Sequence, residues 1–155
     1  MKTIIAILIA LFSTFTINAQ TTYTLEQLVG TKWSMIYPKE VENHPYSSFI
    51  EIREFTANEI KTNYKRVSKV NGEIRSRLNF SKPYYLSDVI PKSFDKTKVG
   101  KVQKGSYIIL YNDKTNRMEY FYIKTFTKDK LVLYHKRDYK DREDDEYTQY
   151  YERVK

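Results

Sequence analysis

The chain contains no cysteine. Disulfides, thiolate metal sites and cysteine nucleophiles are therefore excluded, and stability has to come from packing and a well-closed hydrogen-bond framework. Histidine is nearly absent as well: only His44 and His135 occur in 155 residues. A zinc site would have to combine these two distant residues with carboxylates, without an H-x-x-x-H pair. No G-x-S-x-G elbow is present, so the common serine hydrolase arrangement has no anchor. Four glycines and four prolines leave little room for flexible linkers, and neither an internal repeat nor a second domain is visible. The apolar run Ile4–Phe12 falls short of the about 20 residues that a membrane-spanning helix needs.

That same run has a different use. Met1 and Lys2 supply a positive start, Ile4–Phe12 an uncharged apolar centre, and Ala19 a small residue before a cleavage point. This is the anatomy of a secretory signal peptide over residues 1–19, followed by a single domain over residues 20–155. No cysteine follows the apolar run, so a lipid anchor is not expected, and the reading is an exported protein, periplasmic or secreted. The formal charge of +8 favours attraction to anionic surfaces or polymers. The lysines alternate with apolar residues, as on solvent faces of strands, and no recognition helix accompanies them. A nucleic-acid role is not expected.

What the chain has in abundance is aromatic surface, with fifteen tyrosines and eight phenylalanines. Aromatic and β-branched residues suit pleated, half-buried surfaces. Only "TYTLEQLVG" reads as helical, with Thr24 as N-cap and Gly30 as stop. Strands are expected at 32–37, 48–55, 60–70, 73–80, 105–111, 117–126, 131–136 and 147–154. Asn71-Gly72 is the strongest hairpin signal and predicts a two-residue turn. "KPYYLSDVIP" reads as a strand edge passing into a loop. Short strands at regular spacing, joined by tight turns without long crossovers, predict an up-and-down antiparallel β-barrel of about eight strands with a short N-terminal helix.

Three motifs carry a family resemblance: Leu28-Val29-Gly30-Thr31-Lys32-Trp33, Tyr84–Asp88, and Tyr150-Tyr151-Glu152-Arg153. Together they resemble the small lipocalin-like, calycin-type domains exported by Bacteroidetes. Two residues separate Gly30 from Trp33, where the family's commonest spacing has one. The resemblance implies a barrel closed at one end, with Gly30 ending the lead-in helix and Trp33 packed beneath Arg153 from the last strand. It also implies a binding site at the other end.

Candidate chemistry is sparse. The acidic run Asp141, Glu143, Asp144, Asp145 and Glu146 lacks the turn glycine of a calcium loop and carries Lys140 and Arg142, so no metal is expected. Glu51 and Glu119 have neighbours typical of outward strand positions and are not promoted as a glycosidase pair. The sequon Asn79-Phe80-Ser81 acts only in a host with the matching machinery. What remains is tyrosine, a broad apolar face with one hydroxyl, suited to an amphipathic ligand. Tyr107, Tyr120, Tyr122 and Tyr134 are the expected ligand contacts. The reading is a non-catalytic binding protein for a small apolar or amphipathic molecule, without a cofactor. The alternative is a partner-binding domain acting on a protein or polysaccharide through its outer surface; an enzyme using His44 stands third.

Overall fold

The computed structural model describes residues 21–101, 103–136 and 146–155. The expected leader and the acidic stretch Asp141–Asp145 lie outside the described residues. Eight strands close into one antiparallel barrel: β2 (Lys32–Ile36), β3 (Ser47–Phe55), β4 (Glu59–Ser68), β5 (Ile74–Ser87), β7 (Tyr107–Asn112), β8 (Arg117–Phe126), β9 (Lys130–Lys136) and β10 (Glu146–Arg153). Each pairs with the next along the chain, and β10 returns to β2 with Arg153 opposite Trp33. The up-and-down all-β barrel expected from strand spacing is therefore the observed architecture. Two short strands, β1 (Tyr23–Thr24) and β6 (Lys104–Gly105), pair outside the barrel circuit. Helices are confined to α1 (Leu25–Leu28), α2 (Lys39–Glu42) and one 3-10 turn at Lys96–Lys98. No helix of the described residues is long and apolar enough to cross a membrane.

One end of the barrel is an apolar floor. In α1, Thr24 N–H donates to Gln27 Oε1 at 2.8 Å, so the residue at the third helical position reaches back to the N-cap. Leu25 and Leu28 point inward and are buried. The helix stops at Gly30, whose φ of +78° is open to glycine without a Cβ penalty. Thr31, the additional residue before Trp33, is buried and bridges two groups. Its hydroxyl donates to Leu28 O at 2.6 Å and accepts from Trp33 Nε1 at 2.7 Å. A helix-end carbonyl and an indole N–H are thereby both satisfied in an apolar setting, where an unpaired polar group costs about 1–3 kcal/mol. Gly30 and Thr31 also exchange backbone hydrogen bonds with Phe55 at 2.8 and 3.0 Å, which fixes the lead-in against β3.

The core cluster identifies the inward register on every strand. Trp33, Phe55, Ile60, Tyr84, Leu86, Ile108, Leu110, Phe121, Ile123, Leu131, Leu133 and Tyr151 all belong to it. Because side chains alternate across a strand, the inward positions nearer the other end follow by twos. On β3 they are Arg53, Glu51, Phe49 and Ser47. This strand is inverted relative to ordinary patterning over its middle: Glu51 and Arg53 face in, while Ile50, 40% exposed, faces out.

Two expectations about β4 and β5 need correction. Asn71-Gly72 does not form a two-residue turn. Ser68 N–H donates to Glu73 O, Gly72 N–H donates to Ser68 O, and only Gly72 adopts a positive φ. The loop is thus four residues long, with the left-handed position at its end. Nor does the strand end at Phe80; β5 runs on through Pro83 to Ser87. Tyr84 N–H points towards β4, where it meets Asn58 O, so the nitrogen of Pro83 points the other way. On that side pairing with β7 begins only at Tyr84, and the missing donor leaves no ladder bond unmade.

Candidate functional site at the end opposite the floor

Above the floor the barrel interior turns polar. Arg53 sits opposite Trp33 in the register, one inward position along β3 from Phe55 of the core. Its Nε donates to Glu51 Oε1 at 2.8 Å, with only 14% and 15% of the two side chains exposed. The guanidinium lies 5.1 Å from the Tyr151 ring centre and 5.6 Å from that of Phe121, so its flat faces are covered by aromatic carbon. Tyr151 is fully buried, and its hydroxyl donates to Gln149 Oε1 at 3.0 Å, with Glu51 Oε1 3.5 Å away. Burial drives the Tyr151 hydroxyl well above the ordinary tyrosine range, against the opposing pull of Arg53.

Tyr37, just past the end of β2, lies within electrostatic reach of both charges of this pair. Its ring stands 6.1 Å from Phe49, which stacks on Tyr64 at 6.3 Å. Its hydroxyl is buried and without a hydrogen-bond partner among the described residues. Burial first, then the charge of Glu51, pushes its ionisation upward, so it stays a neutral donor. Towards the same end, His44 packs edge-on against Phe49 at 5.8 Å and accepts Tyr46 N–H through Nδ1. A cavity of about 150 Å³ lies between Tyr37, Val41, Glu42, Ser48 and Phe49.

A second inward ion pair stands on the facing wall. Lys82 Nζ donates to Glu119 Oε2 at 2.6 Å, and Asn112 Nδ2 donates to Oε1 at 3.2 Å. Burial works to raise the Glu119 pKa, but the hydrogen bond and charge of Lys82, helped by Asn112, outweigh it and hold the carboxyl below its ordinary value. His135 is also inward, its Nδ1–H donating to Tyr120 O at 2.6 Å and its ring 5.1 Å from Phe121.

These placements revise the sequence reading. Glu51 and Glu119, expected to face solvent, both point into the barrel, each held by a cation. The four tyrosines expected at the ligand take the outward register instead. Tyr107, Tyr122 and Tyr134 form one cross-strand row there, and Tyr120 pairs with Ile109 on the same face. The interior is served by Tyr84 near the floor and by Tyr37, Tyr64, Tyr147 and Tyr151 beyond it. The signal that locates them is the alternation counted from Trp33 and Phe55, which continues through charged residues. Gly30, Trp33 and Arg153 meet at the floor, the Arg153 guanidinium 5.6 Å from the Trp33 ring. Among the described residues no group of three or more His, Asp and Glu is arranged to hold a metal ion.

The chain matches no family model, no curated protein and no solved structure.

Proposed function

We propose that this protein is an exported, non-catalytic binding module of lipocalin-like kind, which holds a small amphipathic molecule in the end of the barrel opposite the floor. The observation that carries the reading is the inward Glu51–Arg53 pair, walled by Tyr151 and Phe121, with the buried Tyr37 hydroxyl nearby and without a hydrogen-bond partner among the described residues. A charged pair set inside an apolar barrel is costly unless well satisfied, and departures from local patterning concentrate at functional sites. Tyr37 offers a neutral donor, Arg53 a charged one, and Phe49, Tyr64 and Phe121 offer apolar faces. That combination suits a ligand with one polar end and an apolar body.

The test is native mass spectrometry of the protein purified from its own source, beside Tyr37→Phe and Arg53→Met. A retained small molecule on the wild type, weakened in both variants, is the expected result. A wild-type protein that carries nothing and fails to bind a panel of fatty acids, sterols and aromatic acids overturns the reading.

A further inference from the structure

The wall of β2, β3, β4 and β5 carries a groove of about 670 Å³, whose lining includes the outward Ile52, Asn63, Lys65, Asn79 and Ser81 together with Phe80. Strand register orders this face into rows. Glu54, Lys61 and Ser81 stand in one row, Ile52, Asn63 and Asn79 in the next, and Ile50, Lys65 and Arg77 in the third.

The charges of the groove do not balance. Glu54 is taken by Lys32 at 3.3 Å and Glu59 by Lys61 at 3.7 Å. Lys65 has no acidic partner among the described residues, and neither has Arg77, its direct cross-strand neighbour just beyond the lining residues. Like charges directly opposite on a sheet destabilise it unless an anion lies between them. Beside them, the amides of Asn63 and Asn79 also face each other without a hydrogen bond among the described residues, over the apolar side of Ile52.

We propose that this groove binds an acidic polysaccharide. A sugar ring presents hydroxyls that match the two amides and C–H faces that match Ile52, while a carboxylate or sulfate on the ring seats between Lys65 and Arg77. Nucleic acid fits less well: a single aromatic ring, Phe80, is among the lining residues, whereas a single-strand site stacks successive bases on several. The paired amides beside an uncompensated lysine go beyond what a diffuse basic surface needs to attract polyanions.

The experiment uses calorimetry and affinity electrophoresis with galacturonic acid oligomers, heparin oligosaccharides, neutral dextran and single-stranded DNA. Three variants accompany the wild type: Lys65→Gln/Arg77→Gln, Asn63→Ala/Asn79→Ala, and the charge-matched control Lys114→Gln/Lys124→Gln. Circular dichroism melts confirm that each is folded. The acidic oligosaccharides are expected to bind, with dextran much weaker. The Lys65/Arg77 variant should lose about tenfold or more, as for a charged hydrogen bond, and the control should stay near wild type. The asparagine variant should weaken oligosaccharides while leaving its residual DNA binding unchanged. Preference between galacturonate and heparin then identifies the anion as carboxylate or sulfate. Equal losses in the control and the Lys65/Arg77 variant, or DNA binding as tight as the oligosaccharides, overturn the proposal.

Discussion

Arg153 lies with its guanidinium 5.6 Å from the Trp33 ring, and the two residues face each other directly across the seam where the last strand joins the first. The contact therefore reports on barrel closure itself. Trp33 is fully buried and packs near Phe126, ring centres 5.7 Å apart.

Replacing Trp33 by alanine removes the plug and opens a large void. The expected loss is about 3–5 kcal/mol, read as a lower denaturant midpoint. Arg153→Ala removes the cation over the ring and an exposed hydrogen bond to Lys128 O at 3.3 Å, and should cost about 0.5–2 kcal/mol. If the two substitutions cost the same, the plug is not the main stabiliser of the floor.

Breaking the interior pair from one side should be worse than removing it altogether. Arg53→Met leaves the Glu51 carboxylate uncompensated in a nearly closed interior, at a cost of about 3 kcal/mol or more. Adding Glu51→Gln to that variant should restore much of the stability. Urea unfolding of both single variants and the double completes the cycle. A double variant less stable than Arg53→Met alone contradicts this account.

Acid should probe the facing wall. The Glu119 carboxyl is held below its ordinary value of 4.5 in the folded protein. Its contribution to stability is thus fully present above that value and is lost as pH falls through the depressed one. In Glu119→Gln that part of the acid dependence should vanish, giving a flatter curve of unfolding midpoint against pH below about 4.5. Parallel curves for wild type and variant would show that Lys82 and Asn112 do not shift this group.

The barrel was legible in the sequence because its strands are short and sequential, and Gly30 with Trp33 marks where the first one begins. The interior was not, and β3 shows why. In "SFIEIREF" the isoleucines suggest one inward face and the phenylalanines the other. Only the three-dimensional position of Phe55, packed on Tyr84 at 5.7 Å, decides for the phenylalanines and carries Glu51 and Arg53 inside with them. The outward tyrosines misled for a related reason. "GSYIILY" is apolar on both faces because Phe94, from the loop after β5, covers Tyr85 at 5.2 Å and Tyr111 at 5.2 Å. Hydrophobic content there signals a covered outer wall.

Val154 N–H donates to Lys32 O at 3.0 Å, so the last strand leaves the barrel at the floor, and Tyr23 enters beside it at 5.7 Å from Phe126. Both ways in and out of the strand circuit share the plugged end. Anything fused or tethered at either side, whether a tag, a linker or a surface, therefore meets the molecule from below. The opposite end, with Tyr37 and Phe49, is then left free to the surroundings, while the groove lined by Lys32 and Val154 comes within reach of whatever is attached.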